Sequence, residues 1–182
     1  MKSKFIINEL WQLAIAGAFQ RAGIYRRGAD EHLKNQFKSE LKTDLEGFIQ
    51  QQYFNPCTAA QHLENIKQLS EHTKKYAALL KNGQLNIGVS QKVLNLFLKY
   101  LWCLKLIPTP PHFPVDRMIQ IELNKKAKEN NLSTQKIEPW TQFKDDSNYL
   151  KVIRFAEKII NEVDEYKDFS LAELELTLFA SK

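Results

Sequence analysis

The chain is poor in the residues that interrupt helices. Its 182 residues include only six glycines and six prolines, which disfavours many short strands joined by tight turns and favours long helices. It has two cysteines, Cys57 and Cys103. Two thiols cannot build a disulfide framework or a four-thiolate metal site, and Cys103 lies in an apolar stretch where a buried thiol in a reducing compartment is expected. No uninterrupted apolar run is long enough to cross a bilayer. Met1-Lys2-Ser3-Lys4 and the apolar residues up to Ala18 have the outline of a secretion signal, but Asn8, Glu9 and Gln12 interrupt it. The pattern continues as an amphipathic helix past Gln20, so the chain reads as cytoplasmic. His62, His72 and His112 lack metal-ligand spacing, and His32 lies in a charged helical face. With no nucleotide-binding loop, serine-nucleophile motif or zinc signature, neither a metal nor a cofactor is expected.

What remains is an ordinary globular composition with 43% hydrophobic and 26% charged residues, enough to bury a core within one domain spanning 1–182. The formal charge of +5 suits a polyanionic partner without requiring one. Residues 4–24 place Phe5, Ile6, Leu10, Leu13, Ala14 and Ile15 at helical spacing, and Gly28 with Asp30 marks a turn and a new start. Residues 30–52 repeat Leu33, Phe37, Leu41, Leu45 and Phe48-Ile49 in a four-residue rhythm, which Pro56 ends. Thr58-Ala59-Ala60-Gln61 has capping-box form. The helix it opens carries Leu63, Ile66 and Leu69 and either continues or restarts at Ser70 towards Leu80, and Asn82-Gly83 is a stop.

Residues 89–106 are apolar almost all round, the profile of a helix at the centre of its domain. Pro108, Pro110, Pro111 and Pro114 then enforce an extended segment. Asp116 stands at an N-cap position before a helix over 117–130, and further helices are expected near 147–163 and 170–180. Trp140 lies in the polar loop between them and is a candidate pocket residue. Asp164, Glu165, Glu173 and Glu175 are expected on solvent-facing helices. Arg26-Arg27 and Lys125-Lys126 read as solvated or as contacts to a phosphate backbone. The fold class is all-α.

Two segments point beyond a helical domain. Gly88-Val89-Ser90-Gln91-Lys92 is a glycine turn feeding the apolar helix, and such a turn exposes N–H groups that can hold a phosphate. Lys92 falls in the first turn of that helix, where the dipole and partial burial both disfavour an ammonium, as a nucleophilic amine requires. Asp116 follows 24 residues later and can meet Lys92 if the helix runs out and the proline segment runs back. A carboxylate there can take a proton from the amine or stabilise positive charge on a sugar. The plainer alternatives are a solvated lysine, an aspartate that only caps its helix, and a glycine required by backbone geometry.

Gly88-Val89-Ser90-Gln91-Lys92, Asn95 and Pro114-Val115-Asp116 together resemble the helix-hairpin-helix DNA glycosylase superfamily, which includes endonuclease III and 8-oxoguanine DNA glycosylase. The resemblance covers about residues 85–120. It implies a two-lobed helical bundle with a helix-hairpin-helix element near 70–105 and the catalytic-type region within about 70–120. It further implies a glycosylase with an associated lyase step on damaged double-stranded DNA. Lys92 would attack C1′ of a flipped nucleotide to form a Schiff base, and Asp116 would assist. The amides of Gly88 to Gln91 would grip the DNA backbone, and the extruded base would occupy a pocket between the lobes. This chain has Ser90 at the second hairpin glycine, a longer lysine-to-aspartate connection, and no cysteine cluster, so no iron–sulfur centre is implied. The alternative expectation is a non-catalytic DNA-binding or scaffold protein that keeps this fold.

Overall fold

The computed structural model describes residues 2–180, and among them seven α-helices and no strand occur. The helices are α1 (Lys2–Phe19), α2 (Glu31–Gln52), α3 (Ala59–His72), α4 (Ile87–Cys103), α5 (Arg117–Glu129), α6 (Asp146–Glu162) and α7 (Leu171–Ala180). Short polar side chains set most of the starts. Asp30, Asn86, Asp116 and Asp145 each accept a hydrogen bond from a backbone N–H in the first turn that follows. Thr58 and Gln61 form the expected reciprocal box. The ends of α4 and α5 are closed by Lys105 and Asn131, both at a left-handed φ of 58°. In each case the N–H of the next residue reaches back five positions, from Leu106 to Leu101 O and from Leu132 to Ala127 O.

The core is organised around α4, of whose 17 residues 13 are buried. α1 packs along it through Trp11, Ala14, Ile15 and Ala18, with Trp11 edge-on to Phe97. Phe5, Ile6 and Leu13 stay exposed, so the buried side of α1 is rotated from the stripe suggested by its apolar residues alone. α2 buries Phe37, Leu41, Leu45 and Ile49, and α3 buries Ile66 and Leu69 against α4. Each fully buried side chain of this kind contributes roughly 1.5–3 kcal/mol. On the other side, α5, α6 and α7 pack on one another, with Tyr149, Val152, Phe155 and Ile159 on the inner face of α6.

Two expectations about burial are corrected. Cys103 is exposed at the last turn of α4, because the helix ends there and the following residues turn outward. Glu175 is buried, only 5% exposed, because α7 packs its polar residue inward against Lys99 of α4. No helix among the described residues is long and apolar enough to cross a membrane.

Candidate active site

The extended segment before α5 is held against α4 by two amide side chains. Gln91 accepts from Val115 N at 3.0 Å and donates to Val115 O at 2.7 Å, so one side chain satisfies both backbone groups of that residue. One turn further along α4, Asn95 donates to Phe113 O at 3.0 Å. Free backbone groups buried in this way cost about 1–3 kcal/mol each unless paired. The pairing fixes the proline segment alongside α4 and delivers Asp116 over the second turn of that helix, where Lys92 stands, one turn later than expected because α4 begins at Ile87.

There, Lys92 Nζ lies 2.7 Å from Asp116 Oδ2. The same carboxylate caps α5 through its other oxygen, Oδ1, which accepts from Ile119 N at 2.9 Å. Asp116 is therefore both an N-cap and the partner of the lysine. Burial by itself raises its pKa. The Lys92 charge and the donors around it outweigh that and hold the carboxyl below its ordinary value. The Lys92 ammonium also lies 5.9 Å from the centre of the Trp140 ring, so the loop tryptophan forms a third wall. Lys92 is only 6% exposed.

Two hollows meet at this pair. One, of about 180 Å³, is polar and is lined by Gln20, Arg21, Lys92, Asp116, Arg117 and Trp140. The other, of about 90 Å³, is mostly apolar and includes Leu96, Tyr100, Met118, Leu178 and Phe179 beside Lys92 and Asp116. Its floor holds a second ion pair, Lys99 Nζ to Glu175 Oε2 at 2.7 Å, with Lys99 also 4.2 Å from the Phe179 ring centre. Burial raises the Glu175 pKa against the opposing pull of Lys99. The Lys92–Asp116 pair is thus reached from both hollows, whereas the Lys99–Glu175 pair borders only the apolar one.

The expected phosphate-binding turn is corrected by the same geometry. Gly88, Val89, Ser90 and Gln91 are all buried within α4. Gly88 N donates to Phe143 O at 3.1 Å, Val89 N to Asn86 Oδ1 at 3.0 Å, and Ser90 N to Asn86 O at 3.0 Å. A Cβ at Gly88 would fall 1.7 Å from Trp140 O. The glycine therefore admits the Trp140 loop to the helix, and these amides are used within the fold. Gln91 is fully buried and positions the Asp116 segment. Arg26 also bonds inward, to the carbonyls of Leu80 and Ala77.

Sequence reasoning passed over several residues that matter here. Lys99 stands seven residues after Lys92, and so on the same face of an otherwise apolar helix. Glu175 interrupts the apolar run of α7. Each was a visible signal of inward polarity. A buried polar cluster also lies behind the site. Tyr149 Oη contacts Asn95 Nδ2 at 3.1 Å and His112 Nδ1 at 2.9 Å. Tyr53 Oη meets His62 Nδ1 at 2.8 Å, and the two imidazoles pack edge-on at 4.9 Å. Among the described residues no group of three or more His, Cys, Asp or Glu is placed to hold a metal ion. The chain matches no protein-family model, no curated protein and no solved structure.

Proposed function

We propose that this protein is a divergent helix-hairpin-helix DNA glycosylase with lyase activity, acting on a damaged base flipped out of duplex DNA. The observation that carries the reading is the 2.7 Å contact between Lys92 and Asp116, two residues distant in sequence that line common hollows at the start of a buried helix. In this reading α3, the 73–86 connection and α4 take the place of the helix-hairpin-helix element, although Gly88 to Gln91 lie inside α4. α4 is shared between a lobe of α1 to α3 and a lobe of α5 to α7. The packing of these groups on α4 supports that division.

Asp116 takes a proton from the Lys92 ammonium. The neutral amine bonds to C1′ as the glycosidic bond breaks; that bond's electron pair leaves with the base, to which Asp116 passes the proton it took from Lys92. Asp116, again a carboxylate, stabilises the oxocarbenium-like charge on the sugar. The new secondary ammonium gives a proton to O4′ as the C1′–O4′ bond breaks, and the opened sugar is left as a protonated Schiff base on Nζ. Loss of a C2′ proton then expels the 3′ phosphate and nicks the strand. The extruded base is received by the apolar hollow, between Leu96 and Tyr100 of α4 and Phe179 of α7.

Incubation with duplexes carrying an abasic site or one of a panel of damaged bases, followed by borohydride, tests this. Wild type is expected to form a covalent protein–DNA adduct and nick the strand, and Lys92→Gln to form none. Asp116→Asn is expected to slow base release by about 100-fold or more. Duplex binding that falls with salt but is accompanied by no adduct or nick on any substrate would favour the non-catalytic DNA-binding alternative.

A further inference from the structure

The polar hollow has an excess of positive charge at its mouth. Arg21, in the turn that follows α1, and Arg117, the first residue of α5, are both exposed and both line it. Neither forms an ion pair with a carboxylate among the described residues. The one carboxylate in the lining, Asp116, is already engaged by Lys92. Gln20 adds an amide that can donate or accept, and the floor is the Lys92–Asp116 pair with Trp140. Two guanidinium groups from separate elements therefore flank the reactive amine, while the amides of Gly88 to Ser90 are committed within the protein.

We infer that Arg21 and Arg117 form the backbone grip of this protein, binding the phosphodiesters on either side of the nucleotide presented to Lys92. This rests on the DNA reading above. The chemistry fits the residue type: a guanidinium is always charged, and its planar fork can meet two phosphate oxygens at once. The position fits as well, because both arginines line the hollow that opens onto Lys92. Gly17, which lines the same hollow, lets α1 come close to α4. A Cβ there would meet the end of Leu96 at 2.9 Å.

The test is equilibrium binding of the full chain to a duplex with one central tetrahydrofuran abasic analogue, measured over a series of salt concentrations. Removing one phosphate-binding side chain should lower the salt slope by about 0.9. Arg21→Ala and Arg117→Ala are each expected to weaken binding about fivefold, and the double variant to lower the slope by about 2. Both positions are exposed, and circular dichroism verifies that the variants stay folded. Arg154→Ala, exposed on α6 and outside the hollow, should leave the slope within error. Wild-type binding that the Arg21 and Arg117 variants retain, or that Arg154→Ala weakens equally, would overturn the phosphate grip and leave the DNA reading standing. Wild type that binds no duplex even at low salt would remove both.

Discussion

At the residue scale, the site depends on polar groups that cannot be removed singly without leaving a buried partner stranded. Gln91→Leu deprives both Val115 N and Val115 O of their partner. It should cost about 2 kcal/mol or more in urea unfolding, and it should depress turnover beyond that loss of stability because Asp116 is no longer held over Lys92. Lys99→Met should cost about 3–5 kcal/mol, since it leaves Glu175 buried without its counter-charge. Replacing both members of that pair with apolar residues should recover most of the loss. A double variant destabilised by the sum of its two single variants would show that the pair is not coupled. Asp116 was legible from its N-cap position and Lys92 from its place early in the apolar helix, although α4 begins at Ile87 and so has Lys92 in its second turn and not its first. The internal roles of Gln91 and Asn95 were not, because a mid-helix amide shows nothing in sequence about which carbonyl it will meet.

At the same scale, the two buried imidazoles predict a response to acid. Burial pushes the His112 pKa down to about 4 from an ordinary 6.5, and burial together with neighbouring His112 pushes His62 well down. The unfolded chain therefore binds more protons than the folded one once pH falls below about 6.5. Stability must drop with falling pH across that window. His112 alone should remove about 2 kcal/mol between pH 7 and pH 5. Asp116, whose pKa is lowered, loses its contribution only at lower pH, as its carboxyl protonates. A urea midpoint unchanged from pH 7 to pH 5 would contradict the buried, neutral state of both rings.

At the element scale, the two glycines beside the site have different roles. Gly88→Ala sets a methyl 1.7 Å from the Trp140 carbonyl, and a backbone atom cannot move aside cheaply. That change should cost about 3 kcal/mol or more and displace the Trp140 wall. Gly17→Ala meets only the flexible end of Leu96 at 2.9 Å. The gain in helix propensity offsets much of that crowding, so stability should stay within about 1 kcal/mol. Thermal unfolding of the two variants side by side checks the contrast. The helices themselves were largely legible because Asp30, Thr58 and Asp116 carry capping chemistry at their starts and prolines bound the extended segments. Asn86 was missed as the start of α4. Gly88 drew attention as a turn residue, yet in the structure it is helical and needed for close approach. A glycine in sequence does not distinguish freedom of φ from absence of a side chain.

At the scale of the whole molecule, the fold brings one end of α4, the start of α5, the Trp140 loop and the turn after α1 around a single amine. The all-α class followed from the scarcity of glycine and proline. The hollows did not, because their walls come from segments as distant as Arg21 and Phe179, which no local pattern connects. Lys92 is the proposed nucleophile, and the site of the covalent bond to DNA decides whether it acts as one. After borohydride reduction with an abasic duplex and digestion of both protein and DNA, mass spectrometry should find the sugar remnant on the peptide containing Lys92. A remnant on a different lysine, or none on a protein that still binds the duplex, would contradict the account.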